Sequence, residues 1–372
     1  MADERMILMN DFKAEPQALR DAMLSAAERV FASGWYVLGK EVEEFEKSWA
    51  DACGAKYAVG VGNGMDAIEI SLRVLGIGPG DEVITTPMTA FASVLAIIRA
   101  GATPVLADID PDTALLSAES VRRCVSKKTK AVLVVHLYGQ LRNIEQWAAL
   151  CADNRIELIE DCAQSHLAAS GGKVAGTFGR VGAYSFYPTK NLGAPGDAGA
   201  LITGAKDLAD RASRIRNYGQ SVRYHHPELG MNSRLDELQA AILSERLKWL
   251  CEFTERRRVI AERFFSEIRN ADVVTLARPT ERASHVYHLF VVKCRARNKL
   301  QAHLAERGVQ SLIHYPIPVH HQEPCRDLMR DPAGLKVSER HAEECLSIPC
   351  HQQMSNGDVE GVIEGVNSFR AA

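Results

Sequence analysis

The sequence predicts an α/β protein with a mostly parallel, seven-stranded sheet and a smaller α+β domain beside it. Three observations point there. From Lys56 to Thr203, short β-type runs alternate with helical periods, the pattern of a sheet covered on both faces by helices. Beyond Thr203 the chain turns helical, and its last third mixes a strand-like run with helices. The length of 372 residues is enough for two domains and a large core.

In chain order, Glu15 to Ala32 places apolar residues at Leu19, Met23, Ala26, Ala27 and Val30, a helical period that Ser33-Gly34 stops. Val42 to Ala52 is a second amphipathic helix with an acidic face. Strand-like segments follow at Tyr57–Val61, Glu82–Thr86, Pro104–Asp108, Ala131–His136, Glu157–Asp161, Ala183–Phe186 and Ala200–Thr203. Helical patterns between them cover Met65–Leu75, Phe91–Ala100, Ser117–Val125 and Ile144–Asp153. Arg234 to Arg269 reads as a long helical stretch leading out of the sheet domain. Val286 to Lys293 alternates like a strand, and Asn298 to Arg307 is a helix ended by Gly308. The expected division is 35–245 for the large domain and 246–372 for the small one, with 1–34 packing near the latter.

Composition narrows the class. Hydrophobic residues at 46% and charged residues at 24% are ordinary for a globular protein. A formal charge of -3 gives no net pull toward nucleic acid or anionic lipid. The nine cysteines are scattered, without a C-x-x-C pair, which suggests reduced thiols rather than a disulfide frame or zinc site. The start, MADERMILMNDF, has early acids and no apolar core of signal-peptide length, and no apolar run reaches membrane-spanning length. The expectation is a cytoplasmic protein without membrane or nucleic-acid partners.

The chemistry concentrates between Ile156 and Asn191. One predicted strand ends in Glu160-Asp161; the next is followed by Pro188-Thr189-Lys190. Ligands in open α/β sheets sit outside the carboxyl ends of strands. A lysine in a dry site there can lose its proton and form a Schiff base, with pyridoxal phosphate the usual carbonyl partner. That cofactor also needs an acid at its ring nitrogen, which Asp161 could supply. Gly60-Val61-Gly62-Asn63-Gly64 follows the first strand and opens a helix. Met65 stands where a dinucleotide fingerprint needs glycine, yet a Gly-rich turn at a helix N-terminus still makes a phosphate site.

Taken together, VGNGMDAIEISL, GDEVITTPMTAFAS, AGATPVLADID, VVHLYGQ, IEDCAQSH, GAYSFYPTKNLGAPGDAGAL, RNYGQ, GMNSRLDELQAAIL and IHYPIPVHHQ form an ordered set. The set resembles the sugar aminotransferases of the DegT/DnrJ/EryC1/StrS family, which share the aspartate aminotransferase fold (fold type I), over roughly residues 35–368. The resemblance implies pyridoxal 5'-phosphate as cofactor, passing to pyridoxamine 5'-phosphate during turnover. It makes Lys190 the Schiff-base lysine and Asp161 the acid at the pyridine nitrogen. It puts Gln164 near the ring hydroxyl, and gives the phosphate to the backbone N–H groups of Gly64 and Met65 and to the Ser185 hydroxyl. Asn232 would reach the phosphate from the other subunit of a homodimer. Two positions depart from the pattern. Met65 replaces a common Thr or Ser, leaving only its backbone to serve the phosphate. Ala90 replaces a common aromatic, leaving one ring face open to another side chain; Phe91 beside it would point roughly 100° away in a helix.

For the substrate, the resemblance points to His320 and Tyr315 in IHYPIPVHHQ, and Arg216, Arg223 and Tyr224 flank a loop where guanidinium groups could grip a diphosphate. The alternative for each of these is a solvated loop residue. None of the histidines has metal-site spacing, so no metal is expected, and the run Glu255-Arg256-Arg257-Arg258 reads as a helix face. The expected activity moves an amino group from L-glutamate to the keto carbon, C-3, of a dTDP-linked 6-deoxy-keto-sugar. The alternatives are C-4 amination on a dTDP- or UDP-linked sugar, or a non-catalytic protein that holds the cofactor.

Overall fold

The computed structural model describes residues 6–371. Its strands in chain order are β1 (Tyr57–Val61), β2 (Glu82–Thr85), β3 (Thr103–Leu106), β4 (Thr129–Val135), β5 (Glu157–Asp161), a small hairpin of β6 (Ala169–Ser170) and β7 (Lys173–Val174), β8 (Val181–Ser185), β9 (Gly199–Thr203), β10 (Val274–Thr275), β11 (Phe290–Lys293), β12 (Met329–Arg330) and β13 (Cys345–Ile348). The first helices are α1 (Gln17–Ser33), α2 (Lys40–Cys53), α3 (Gly64–Val74), α4 (Phe91–Arg99), α5 (Ala118–Cys124) and α6 (Ile144–Asn154). The later ones are α7 (Lys206–Ile215), α8 (Glu237–Leu247), α9 (Leu250–Glu267), α10 (Arg297–Ala305), α11 (Lys336–Glu344) and α12 (Asn356–Ser368).

Among the described residues, the large sheet has eight strands in the order β1-β9-β8-β5-β4-β2-β3-β12. All neighbours run parallel except β9, which is antiparallel to both β1 and β8. The expected count of seven is corrected by β12, a two-residue strand from the C-terminal third that pairs Met329 with Val105 and Arg330 with Leu106. Its position is held by the next residue. Asp331, buried, takes an ion pair from Arg123 at 2.6 Å and a hydrogen bond from Ser120.

The sheet's inner strands, β2, β4, β5 and β9 among them, are buried on both faces along most of their length, so they do not show the alternation of a half-exposed sheet. One face packs on Ile68, Ile70 and Leu72 of α3 and Ile97 of α4. The other packs on Phe45 and Trp49 of α2, Trp147 of α6 and Leu243 of α8. There Trp49 meets Tyr184 and Phe186 edge-on, at centroid distances of 5.0 and 5.4 Å. The antiparallel sheet β10-β11-β13 has a separate core with Ile260 and Phe264 of α9, Leu300 of α10 and Val362 of α12. We propose the division 35–245 and 246–372 on these two sheets and their cores. Of the stretch 1–34, residues 1–5 lie outside the described residues and the rest touches both: α1 lies against α8 through Ala26, Val30 and Ala241, and Ile7 pairs with Val309. A further cluster, including Met88, Val135 and Tyr138 beside Leu289 and Val291, joins the two units.

Two expected elements are shorter than their sequence patterns. The helical stretch 234–269 breaks at Lys248-Trp249 into α8 and α9. The run 286–293 becomes strand only from Phe290; before it, Val286 and Leu289 N–H groups donate to Gly139 and Tyr138 carbonyls, and Tyr287 takes a left-handed φ of 46°. Those donors are committed to the loop after β4, so they cannot join a ladder. No helix among the described residues is long and apolar enough to cross a membrane.

Candidate active site

Three chain segments converge at the carboxyl ends of β5 and β8. Pairing of β5 with β8 sets Asp161 opposite Ala183, so the acid and Ser185 emerge at the same sheet end. The chain then turns through Pro188-Thr189, closed by the Lys190 N–H donating to the Tyr187 carbonyl at 2.8 Å. This leaves Lys190 partly buried within electrostatic reach of Asp161. Burial lowers the ammonium from its ordinary value to about 8, against an opposing pull from the Asp161 charge.

Asp161 is fixed on both oxygens. Oδ1 accepts the Ala163 N–H at 3.0 Å, and Oδ2 accepts the Ser93 hydroxyl at 2.7 Å. Ser93, in the first turn of α4, in turn lies 2.8 Å from the hydroxyl of Thr89, which precedes the helix's N-cap. Gln164 Oε1 accepts the Tyr138 N–H at 2.6 Å, and its Nε2 donates to the Tyr315 hydroxyl at 3.3 Å. Tyr315 therefore sits beside Gln164, and the Asp161 charge acts on its phenol, which burial above all pushes up to about 12.

The turn into α3 forms the opposite wall. Asn63 caps the helix by accepting the Asp66 N–H at 2.8 Å. The N–H groups of Gly64 and Met65 come too early for the helix's own carbonyls, and the positive end of its dipole favours an anion there. Glycine at 64 is dictated by Ser185, since a Cβ on Gly64 would stand 2.5 Å from the Ser185 Cβ. Behind the turn, Gly62 N–H donates to the Ser233 hydroxyl at 3.0 Å. Asn232, next to Ser233, is exposed.

Sequence reasoning left His166 unmarked and read His288 and His314 only as histidines without metal-site spacing; all three lie within electrostatic reach of the lysine. His166 shares a 2.9 Å hydrogen bond through Nε2 with the Ser185 carbonyl, and its buried Nδ1 has no partner among the described residues. Burial, with the Lys190 charge adding to it, lowers His166 to about 3 and His314 to about 4, and drops His288 well below its ordinary value. All three are neutral at neutral pH. The motif DCAQSH contained His166, but only its position against Ser185 gives it a place in the site. Ser93 and Thr89 were legible only as hydroxyls four apart at the start of a helix.

The substrate candidates separate. His320 is buried and pairs with Glu339 at 3.1 Å. Arg223 and Tyr224 are on the surface, the guanidinium 5.0 Å from the ring centroid, with Tyr224 80% exposed. Arg216 is corrected: it is buried, donates to the Gly60 carbonyl at 2.6 Å and forms an ion pair with Glu46, so its charge is spent on the core. Phe91 is exposed on α4, and Ala90 stands at that helix's N-cap. Two groups, His136-Glu160-Cys162 and His320-His321-Glu339, have side-chain donors within metal-ligating reach of one another. In the first, the Glu160 oxygens already accept from three backbone N–H groups, of Gly176, Phe178 and Gly179, and lie against His136. In the second, Glu339 is shared by both histidines.

The site therefore has the parts that pyridoxal phosphate requires: a lysine of depressed basicity, an oriented carboxylate, and a cradle of helix N–H groups beside a serine. Residues 17–367 match the profile of the DegT/DnrJ/EryC1/StrS aminotransferase family. The dTDP-3-amino-3,6-dideoxy-alpha-D-galactopyranose transaminase of Aneurinibacillus thermoaerophilus is 43% identical over 98% of this chain and 99% of its own. The structure of DesV from S. venezuelae superposes with a TM-score of 0.94 at 38% identity, covering 98% of each chain. That of NtdA from Bacillus subtilis, solved with bound pyridoxamine phosphate, gives 0.90 at 28% identity, over 98% of this chain and 85% of its own. The chain belongs to the DegT/DnrJ/EryC1/StrS aminotransferase family and is a pyridoxal-phosphate-dependent sugar aminotransferase.

Proposed function

We propose that the protein transfers the amino group of L-glutamate to C-3 of a dTDP-linked 6-deoxy-keto-sugar. The relative at 43% identity, named for a 3-amino sugar carried on dTDP, supports the nucleotide and the carbon. The observation that carries the chemistry is Lys190, lowered to about 8 and facing Asp161. Burial eases the loss of the Lys190 proton, so that the amine can take a proton from the substrate carbon and return it. Asp161, held on both oxygens, keeps the ring nitrogen protonated. Gly64, Met65 and Ser185 hold the phosphate, and Gln164 faces the ring hydroxyl from its bond to Tyr138. When bound, the cofactor supplies the electron sink for the carbanion that proton removal leaves.

Exposed Asn232, beside a serine that supports the phosphate turn, supports a homodimer in which it reaches the neighbouring site. His320, Tyr315, Arg223 and Tyr224 remain the substrate-side residues of this reading. Nine unpaired cysteines, eight of them buried, support a reducing, cytoplasmic setting.

The test is a single turnover. Protein loaded with pyridoxamine phosphate is offered dTDP-3-keto- and dTDP-4-keto-6-deoxyglucose in parallel, and the product is read by mass and NMR. Amine at C-3 is the expected result. Amine at C-4 would keep the transamination and reject the regiochemistry. No amine from either, with glutamate still converting the cofactor, would reject the substrate.

A further inference from the structure

The hydroxyls of Thr89 and Ser93 have no part in the roles above, yet they form a directed chain that ends on the catalytic acid. Thr89, Ser93 and Asp161 are 4%, 1% and 4% exposed, so water does not compete for these bonds. An ionised carboxylate can only accept. The Ser93 proton must therefore point at Asp161 Oδ2, 2.7 Å away, and the Thr89 proton must point at the Ser93 oxygen, 2.8 Å away. The direction has no alternative while Asp161 is charged.

We propose that Ser93, oriented by Thr89, is a positioning residue that sets Asp161 against the ring nitrogen of the cofactor. This rests on the reading of Asp161 given above. The carboxyl torsion of an aspartate is broad and poorly defined by its own rotamer preference. Here the Ala163 N–H holds Oδ1 from the turn after β5, and Ser93 holds Oδ2 from α4. Two supports from different elements fix the plane of the carboxylate and leave its remaining lone pairs for the ring N–H. With alanine at position 90, the N-cap of α4, the entry to that helix offers hydroxyls before and after a small residue, Thr89 ahead of the cap and Ser93 in the first turn. That turn would then contribute to the cofactor through Asp161 rather than through an aromatic of its own.

The test uses the holoenzyme and three substitutions, Ser93→Ala, Ser93→Thr and Thr89→Val, beside Asp161→Asn as reference. The readouts are the pH titration of the bound cofactor's visible absorbance and its dissociation constant. Ser93→Ala should move the titration midpoint by roughly 0.5–1 unit and weaken cofactor binding about five- to tenfold, the scale of the net contribution of one hydrogen bond. Ser93→Thr, which keeps the hydroxyl, should restore both, and Thr89→Val should fall between. If Ser93→Ala does not fold, Ser93→Cys keeps the volume with only a weak donor and should behave like the alanine. A Ser93→Ala titration superimposable on wild type, beside a displaced Asp161→Asn, overturns the positioning role alone. An undisplaced Asp161→Asn overturns that role together with the assignment of Asp161.

Discussion

The cofactor cavity and the loop from Tyr218 to Met231 lie on the same functional unit and are built in opposite ways. In the cavity, Asp161 is 4% exposed and each oxygen has a partner. In the loop, the base is fixed and the tip is open. Glu228 bridges Arg211 at 2.9 Å and Arg214 at 3.0 Å, and Gly219 lies so close to the Glu228 carbonyl that a Cβ there would overlap it. Beyond that anchor, Tyr224 is 80% and Leu229 92% exposed. One region has its partners within the chain. The other presents aromatic and cationic groups on a fixed stem, ready for a partner from outside it. The first should therefore respond to substitution through cofactor chemistry, and the second through substrate binding alone.

The largest expected effect is Lys190→Ala, which should lower turnover by about 10³-fold or more, the upper range for a lost acid-base group, with melting of the apoprotein little changed. Gly64→Ala comes next. Its Cβ must displace Ser185 from a 2.5 Å approach, and overpacking of about 1–3 kcal/mol should weaken cofactor binding roughly tenfold to a hundredfold in an absorbance titration. The third is a pH effect. Burial brings Lys190 down from 10.5 to about 8 in the folded chain, so the reactive neutral amine accumulates as pH rises through 8. Capture of pyridoxal phosphate by the apoprotein, followed by stopped flow, should speed up several-fold between pH 7 and 8.5 and then level off. An increase continuing to pH 10 would mean that the lysine is not desolvated. The smallest effects belong to the loop. Arg223→Ala and Tyr224→Ala should each raise the KM for the nucleotide sugar roughly three- to tenfold, leaving the glutamate half-reaction and stability within about 0.5 kcal/mol. A loop substitution that changed the cofactor spectrum would break the contrast.

The same contrast explains how much could be read from the sequence. β1 and β5 have the bounds expected of them: β1 runs from Tyr57 to the glycine-rich turn at Gly62, and β5 is a short apolar pair closed by the acids Glu160 and Asp161. The gathering of Asp161, Gln164, Ser185 and Lys190 at one sheet end follows from strand order and was legible in the motifs. β12 was not, since two residues carry no period and its hold on the sheet comes from Asp331 meeting Arg123, 208 positions away. Arg216 misled for a related reason. A cation in a glycine-bearing loop suggests a phosphate grip until Glu46, 170 positions distant, is found beside it. Polar residues whose partners are remote in sequence were the ones read incorrectly or missed, Ser93 among them.

The late arrival of β12 has a consequence for synthesis. Until Met329 and Arg330 emerge, β3 has β2 on one side and a row of unpaired backbone groups on the other, the kind of edge that recruits other strands. Its closing contacts, such as Ser338 on Asp108, span 230 positions. At translation speeds of about 5–20 residues per second, the edge stays open for roughly 10–45 s in each nascent chain. Expression yield should thus depend on chaperone supply during that interval, even for variants whose finished fold is as stable as the parent.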